Sequence, residues 1–554
     1  MERKQHDLEA NDSWESYYQP GEKIRNQDGR HLRRHAPQPV QKETVHGIMI
    51  DAGSSGSRLH LYEFEPRVLQ SRDELDQAVS GRRLSVPISK SRWTQRLRPG
   101  VHRFVVAGGT RNLTQALHDY LNPLVEFATT LLHDKRQDWS QYPIFFRATA
   151  GMRMLSLEQR QTMLKIIRNY FANHTEFWFE DEFARVLSGE EEAIFGWAGI
   201  NFAMGNLVQE TEGVGTVLNP SKTYGALDLG GASTQIAFYE PHEDIMANLF
   251  KLQIGQAKHW NLYSHSFLYY GLNEARHRFQ AILLSSSGEE KIGNPCLPGQ
   301  SRQLIKGLPP MKWNEDGMEV HRNVSSSSSS VNVTFVNDGP KGNFTQCLAI
   351  TKQLLHLESN TWCQFAHPHQ CSFNGVAMPP LPDSSEFLAF SNYHHIWQFL
   401  QLPSRASLQE LYEASERICQ MSYEELMEYN ENNIRSVTEE EAKDFCFRSA
   451  YAYTLLSDGY GFSLENTITA TNVVNGQKVS WAVGAMLYEI NTLPWKIAVA
   501  DDQLIRLHPF HVHVTGMILV SLVTAFMAWL FCRKQQQHKK YEYEPLKEIP
   551  KAGS

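Results

Sequence analysis

Two segments of the chain each join an aspartate to a turn of small residues, 177 positions apart. Residues 51–58 read DAGSSGSR and residues 228–235 read DLGGASTQ. An apolar run precedes each aspartate and an apolar alternation follows each turn, a pattern typical of β-hairpins. Such a turn brings backbone N–H groups close to a phosphate, and the aspartate is suited to hold the accompanying metal ion. Two copies in matching register predict a duplicated fold that clamps a phosphate chain between its halves.

Candidate phosphate-binding residues come from these two turns and from a third strand end at residues 147–153 (RATAGMR). They are Gly53, Ser54, Ser55, Gly56, Thr149, Ala150, Gly230, Gly231, Ala232 and Ser233. Asp51 and Asp228 are the candidate metal ligands. Because carboxylate oxygens favour hard cations, the expected cofactor is Mg²⁺ or Ca²⁺, and no His/Cys cluster indicates zinc.

Hydrolysis of a terminal phosphoryl group also needs an oriented water and a carboxylate to accept its proton. Residues 188–197 (SGEEEAIFGW) contain three consecutive candidates, Glu190, Glu191 and Glu192. On a helix these side chains point about 100° apart, so only one of them faces a given target. A fifth segment, residues 480–484 (SWAVG), begins an apolar helix-like stretch.

The five segments, in this order and spacing, resemble the apyrase-conserved regions of the nucleoside triphosphate diphosphohydrolase family over about residues 46–490. The resemblance implies an actin-like α/β fold with two related lobes and a cleft between them. It also implies that Glu192 is the catalytic base and that Ser233 and Gln235 position the water. The family usually has glycine after the base, where this chain has Ala193. A sole C-terminal anchor and Arg58 resemble the fungal Golgi branch most.

The expected activity is removal of terminal phosphates from nucleoside di- and triphosphates, clearing GDP or UDP in a Golgi setting. The nucleobase preference stays open. An alternative is an actin-like nucleotide-gated interaction module with slow hydrolysis. Glu192, Ser233 and Gln235 favour the hydrolase, because a switch needs no dedicated base. A kinase or exopolyphosphatase of the same superfamily is less favoured: a kinase needs an acceptor pocket, and exopolyphosphatases are not expected to carry disulfides or glycosylation sequons.

Hydrophobic periodicity predicts an alternating α/β chain with a terminal membrane anchor. Strands are predicted at residues 47–50, 59–64 and 144–148, and helices at 113–132, 157–170 and 481–490. The predicted segments are a disordered stretch (1–45), a first lobe (46–188 with 471–495), a second lobe (189–470), a linker (496–513), a transmembrane helix (514–532) and a cytosolic tail (533–554).

Residues 514–532 carry no charge over 19 positions, and basic residues follow at once. The length fits one membrane-spanning helix, and the positive-inside rule places the tail in the cytosol and the large N-terminal part in the lumen. Residues 1–45 lack the apolar core of a signal peptide, which leaves a tail-anchored, cytosolic arrangement as the alternative. Cysteines and glycosylation sequons favour the lumen of the Golgi or a related compartment.

Composition narrows the class of protein further. The chain has 554 residues, 41% of them hydrophobic, with 53 basic and 61 acidic residues and a net charge of −8, which excludes a general nucleic-acid binder. Six of the seven cysteines lie between Cys296 and Cys446, and sequence order suggests the pairs Cys296–Cys347, Cys363–Cys371 and Cys419–Cys446. Sequons occur at Asn11, Asn112, Asn173, Asn323, Asn332 and Asn343. The oligomeric state stays open.

Two arginines flank the third candidate turn. Arg147 and Arg153 stand at either end of residues 147–153, where an ion pair with a carboxylate is expected more often than a contact with the ligand. Trp197 and Trp481 are expected to pack in the core rather than to stack on a nucleobase.

Overall fold

The computed structural model describes residues 44–66, 68–69, 84–90, 92–106, 112–211, 214–217, 222–241, 248–254, 258–286, 291–308, 331–357, 363, 371–382, 386–493, 496–498 and 504–506. The predicted N-terminal disordered segment up to residue 43, the sequons at Asn11 and Asn323, the predicted transmembrane helix (514–532) and the tail lie outside these residues. None of the helices within the described ranges is long and apolar enough to cross a bilayer.

The strands are numbered in chain order. They are β1 (Val45–Gly53), β2 (Gly56–Phe64), β3 (Val68–Leu69), β4 (Thr94–Leu97), β5 (Ile144–Ala148), β6 (Ala184–Val186), β7 (Val208–Thr211), β8 (Val214–Val217), β9 (Gly225–Leu229), β10 (Ser233–Tyr239), β11 (Leu249–Ile254), β12 (Lys258–Leu268), β13 (Lys291–Gly293), β14 (Ser301–Leu308), β15 (Val331–Asn337), β16 (Phe387–Ser391), β17 (Arg405–Ser407), β18 (Thr467–Ala470), β19 (Val473–Val474), β20 (Gln477–Lys478), β21 (Lys496–Ala498) and β22 (Leu504–Arg506).

The α-helices are α1 (Arg103–Val106), α2 (Leu113–Leu131), α3 (Ala150–Arg153), α4 (Leu157–His174), α5 (Gly189–Ala203), α6 (Leu272–Ser286), α7 (Phe344–Gln353), α8 (Asn392–Phe399), α9 (Leu408–Cys419), α10 (Tyr423–Glu431), α11 (Glu439–Lys443), α12 (Phe445–Thr454) and α13 (Trp481–Thr492). The described residues also form 3₁₀ segments at His133–Gln141 and Asp181–Phe183 and a π-turn at Leu455–Gly459. The strands and helices predicted from periodicity are present, with ends shifted by a few residues.

The two large sheets repeat one topology. In the first sheet, with order β4-β2-β1-β5-β6, the antiparallel hairpin β1–β2 is followed by the parallel strands β5 and β6. In the second, with order β11-β12-β10-β9-β16-β18-β17, the hairpin β9–β10 is followed by the parallel strands β16 and β18. The orders β2-β1-β5-β6 and β10-β9-β16-β18 therefore correspond, and the expected duplication is present.

The central strands are buried on both faces, as parallel sheets covered by helices require. Ile48, Ile50 and Phe146 are fully buried in the core of the first sheet, and Leu227 and Ile236 in the core of the second. Trp197 and Trp481 are also buried, as predicted. This packing makes the sheets rigid supports for the turns at their ends.

Helices α5 and α13 pack closely through two glycines. A Cβ placed on Gly484 would lie 2.0 Å from the Phe195 carbonyl oxygen, and one placed on Gly199 would lie 2.6 Å from the Ser480 carbonyl oxygen. Any larger side chain would push the helices apart, since the obstacles are backbone atoms. The glycine of the segment at 480–484 therefore serves to seat α5, the helix that carries the three consecutive glutamates.

Three disulfides lie between residues 296 and 446, with the pairing that sequence order suggests: Cys296–Cys347, Cys363–Cys371 and Cys419–Cys446. The sulfurs of Cys446 and Cys347 are 3.7 Å apart, so two of the bonds are neighbours in the core. Each bond stabilises the fold by about 2–4 kcal/mol, mainly by restricting the unfolded chain.

The interval predicted as a linker, 496–513, contains regular structure at its start. Strand β21 pairs with β22 and, in parallel, with β3. The chain that follows α13 therefore returns to the N-terminal part of the fold through backbone hydrogen bonds, which the apolar pattern alone did not predict.

Candidate active site

The two predicted phosphate turns face each other at Ser54. Residues 53–56 form the turn between β1 and β2, and residues 230–232 form the turn between β9 and β10. A Cβ built on Gly231 would lie only 2.7 Å from Ser54 Oγ, so any larger residue at 231 would displace the Ser54 side chain where the turns meet. Sequence reasoning placed both turns correctly because each follows from a local hairpin pattern.

The third turn joins them at the same point. Thr149 follows β5 and is the residue before α3, and its N–H donates to the Ala52 carbonyl at 3.2 Å. A Cβ on Gly151 would lie 3.0 Å from the Ser54 Cα. Thr149, Ala150 and the two hairpin turns thus form one cradle of backbone around Ser54, suited to the oxygens of a phosphate chain.

Asp51 and Asp228 are buried carboxylates, each 7% exposed. Oδ1 of both residues is fully buried and has no hydrogen-bond partner among the residues that the structure describes. Burial raises the pKa of Asp51 to about 7, although Arg58 opposes the rise and Glu192 adds to it. Burial, and then the nearby Glu192 carboxylate, raise the pKa of Asp228 to about 7.

These two carboxylates fit a divalent cation. Buried, unpartnered oxygens that repel one another electrostatically are costly unless a positive charge joins them. In the described ranges, no His, Asp or Glu belongs to a group of three ligand atoms within 4.8 Å; the one such group is Cys296, Cys347 and Cys446, which the disulfides explain. The donors are all oxygens, as Mg²⁺ and Ca²⁺ prefer, and substrate and water oxygens would have to complete the coordination.

The start of α5 decides which of the three glutamates faces this site. Ser188 caps the helix and Glu191 closes a capping box with it, while Glu191 also pairs with Arg185 at 2.7 Å. Glu191 is thereby directed away from the cradle. Glu192, one position on, is 7% exposed and points into the site. Burial raises the pKa of Glu192, and Arg153 opposes that rise.

Glu192 belongs to a network with Ser233 and Gln235. Oε2 of Glu192 accepts from Arg153 Nη2 at 2.8 Å and from Gln235 Nε2 at 3.4 Å. Ser233 Oγ accepts from Gln235 Nε2 at 2.5 Å and from Arg153 Nη2 at 3.3 Å. Because Ser233 Oγ already accepts twice, its own proton is available for a water or a phosphate oxygen.

Gln235 also carries an acceptor atom that has no partner among the described residues. Its Nε2 is held by Ser233, by Glu192 and by Ser266 Oγ at 2.9 Å, and its Oε1 is buried with no partner among the described residues. A water placed there would satisfy it. Sequence reasoning missed Ser266; the strand register, which pairs Gln235 with Ser266, is the signal that identifies it.

Two arginines beside the first hairpin were also not assigned a role from sequence. Arg58 lies opposite Asp51 in the β1–β2 register and opposite Arg96 in the β2–β4 register. Arg96 Nη2 donates to Ser55 Oγ at 3.2 Å. Positive charge thus borders the cradle on the first-sheet side, which is favourable for a polyanion. Arg147, by contrast, forms a buried ion pair with Glu489.

This fold and site define a nucleoside phosphatase: residues 38–502 match the GDA1/CD39 (nucleoside phosphatase) family, and the chain belongs to it. The protein is therefore an enzyme, a phosphoanhydride hydrolase of the apyrase and nucleoside diphosphatase class.

Named relatives agree with that membership, and a solved structure agrees with the fold. The chain is 31% identical to the ectonucleoside triphosphate diphosphohydrolase 1 of Bos taurus over 490 residues, covering 86% of each protein. It is 28% identical to the nucleoside-diphosphatase mig-23 of Caenorhabditis briggsae, covering 82% of this chain and 78% of that one. A crystal structure of nucleoside triphosphate hydrolases from Neospora caninum matches with a TM-score of 0.50 at 16% identity, covering 81% of this chain and 92% of the other. That match supports the mixed α/β, actin-like fold.

Proposed function

We propose that the enzyme hydrolyses the terminal phosphate of nucleoside di- and triphosphates, one phosphate in each cation-dependent step. A diphosphate yields nucleoside monophosphate and phosphate in one step, and a triphosphate reaches the monophosphate in two. The observation that carries the proposal is Glu192, a buried carboxylate beside Ser233 and Gln235 at the meeting point of two phosphate turns. A protein that only binds nucleotide as a switch needs no such base.

In the proposed mechanism the turns around Ser54 hold the phosphate chain by their backbone N–H groups. Ser233 donates to the attacking water or the terminal phosphate, and Gln235 Oε1 accepts from the water. Glu192 takes one proton from the water as the water oxygen bonds to the terminal phosphorus. The bond between that phosphorus and the bridging oxygen breaks, and the bridging oxygen leaves with the remaining nucleotide. Asp51 and Asp228 would hold the cation, which neutralises phosphate charge when bound.

We also propose that the enzyme acts in the lumen of the Golgi or a related compartment. Three disulfides support an oxidising compartment. The side chains of the sequon residues Asn112, Asn173, Asn332 and Asn343 are exposed, as glycosylation requires. With a membrane helix at 514–532 and a cytosolic tail, the enzyme would remove GDP and UDP that glycosyltransferases release into the lumen.

Phosphate release by the full-length protein in detergent tests the activity. We expect turnover with nucleoside di- and triphosphates in the presence of Mg²⁺ or Ca²⁺ and its loss with a chelator. The comparison of ATP, ADP, GDP, UDP and CDP also ranks the nucleobases. Turnover far below about one per second on every substrate would favour the nucleotide-gated module instead.

Protease protection in sealed vesicles tests the topology. A tag at the N-terminus should resist external protease until detergent is added, whereas a tag at the C-terminus should be cleaved. Cleavage of the N-terminal tag in sealed vesicles would contradict the lumenal arrangement.

A further inference from the structure

Arg153 contacts both Glu192 and Ser233, although the proposed mechanism gives it no role. It is the last residue of α3, on the first-sheet side of the site, and its side chain is 12% exposed. Nη2 donates both to Glu192 Oε2 at 2.8 Å and to Ser233 Oγ at 3.3 Å, and Nη1 donates to the Leu187 carbonyl at 3.2 Å. One guanidinium thus ties α5 and the first residue of β10 to the first sheet.

The two carboxylate oxygens of Glu192 differ in their hydrogen bonds. Oε2 is taken up by Arg153 and Gln235. Oε1 accepts no hydrogen bond from the described residues. A carboxylate held by one oxygen presents the other in a fixed direction, which is what proton transfer from a positioned water requires.

We propose that Arg153 is a positioning residue for hydrolysis: it anchors Oε2 of Glu192 and the hydroxyl oxygen of Ser233, so that Oε1 of Glu192 is the atom that accepts the proton of the attacking water. The inference rests on the proposed role of Glu192 as the base. Arg153 itself touches neither the water nor the phosphorus in this scheme.

The charge of Arg153 also affects the protonation of Glu192. Among the described residues, the charged groups that interact electrostatically with Glu192 are Arg153 from α3, Asp51 from β1 and Asp228 from β9. Burial raises the pKa of Glu192, and Arg153 lowers it. Removal of Arg153 should therefore move the acidic limb of the kcat profile to higher pH, because Glu192 would hold its proton over a wider range.

The test is a double-mutant cycle on the full-length enzyme. Arg153→Met should lower kcat roughly 10- to 100-fold, as loss of a charge-assisted hydrogen bond does, with KM changed less than about threefold. In the Glu192→Gln background, Arg153→Met should lower kcat by less than about a further threefold, since Arg153 acts through Glu192. Arg136→Met, which breaks the exposed Arg136–Glu176 pair at the surface, is the matched control and should leave kcat near wild type.

Arg153→Lys keeps the proposal testable should Arg153→Met fail to fold. Lysine retains the charge but lacks the fork that reaches two acceptors, so kcat should fall about three- to tenfold while the acidic limb stays in place. A raised KM with unchanged kcat in either variant would assign Arg153 to substrate binding and overturn the proposal. The proposal would also be overturned if the losses of kcat from Arg153→Met and Glu192→Gln simply multiplied in the double variant.

The failure of the inference is distinguishable from that of the proposed function. If Glu192→Gln retains near-normal turnover, the base assignment fails and the role of Arg153 fails with it. If Glu192→Gln is inactive but Arg153→Met costs as much in that background as in the wild type, hydrolysis by Glu192 stands and only the positioning role is wrong.

Discussion

Ser54 and Gly231 occupy the same place in the two hairpins, three residues after Asp51 and Asp228 respectively, and they meet across the site. A methyl group on Gly231 would lie 2.7 Å from Ser54 Oγ and 2.9 Å from Asn273 Nδ2. The two copies of the motif therefore also contact each other. Its two copies differ in size at this position because only one of them has room for a side chain.

Replacement of Gly231 by alanine should impair activity more than folding. Both obstacles are the ends of side chains, which can turn away at modest cost, but Ser54 then leaves its place in the phosphate cradle. We expect Gly231→Ala to lower kcat/KM at least tenfold with a small change in Tm. Gly293→Ala, where the added methyl meets nothing within 4 Å, is the control and should behave as wild type. Full activity in Gly231→Ala would contradict the phosphate-binding role of this turn.

Glu192→Gln should lower turnover by about 10²-fold or more while leaving nucleotide binding intact, as loss of a general base does. Glu191→Gln is the matched control, because Glu191 lies one position earlier on the same helix and pairs with Arg185 instead. Steady-state kinetics and binding of a non-hydrolysable nucleotide measure the two effects. A greater loss of turnover in Glu191→Gln than in Glu192→Gln would show that the register of the base is wrong.

Asp51→Asn and Asp228→Asn should each raise the Tm in chelator and abolish the response of the Tm to Mg²⁺ or Ca²⁺. Each substitution removes a buried negative charge that Glu192 repels, and with it a cation ligand. Wild-type protein should instead gain stability when the cation is added. Thermal unfolding with and without the cation measures both effects.

Asp444→Asn is the control for that experiment. Asp444 is also 7% exposed, but it pairs with Arg276 at 3.1 Å and with Arg448 at 3.0 Å. Its loss leaves two arginines short of a partner and should lower the Tm. A cation response that persists in both the Asp51 and the Asp228 variants would place the metal elsewhere.

His60 should make the fold less stable as the pH falls below about 6.5. Burial, with Arg58 and then Lys478, lowers the pKa of His60 to about 3 in the folded protein. Between the ordinary pKa of about 6.5 and this value, the unfolded chain binds a proton that the folded protein does not, which costs up to about 1.4 kcal/mol per pH unit. His60→Gln, which cannot be protonated, should flatten the dependence of Tm on pH between 7 and 5. The exposed His133 supplies the control variant, His133→Gln, and an equal flattening there would refute the assignment to His60.

Local patterns predicted the elements of the site well. Alternation and small-residue turns predict both hairpins, and the apolar run from Trp481 predicts α13, because such features depend on residues a few positions apart. The order of the cysteines likewise predicts the three pairs observed.

The sequence alone therefore determined which parts the site contains. These are two hairpins whose first strands end at an aspartate, a third turn, and three adjacent glutamates, one of which the family resemblance favours. Tertiary structure decided how these parts meet. Glu192 rather than Glu191 faces the cradle because Arg185 and the capping box hold Glu191, and Arg153 reaches Glu192 only because α3 and α5 converge. Backbone conformation is set by near neighbours, whereas the partner of a buried charge is set by the packing of elements far apart in sequence.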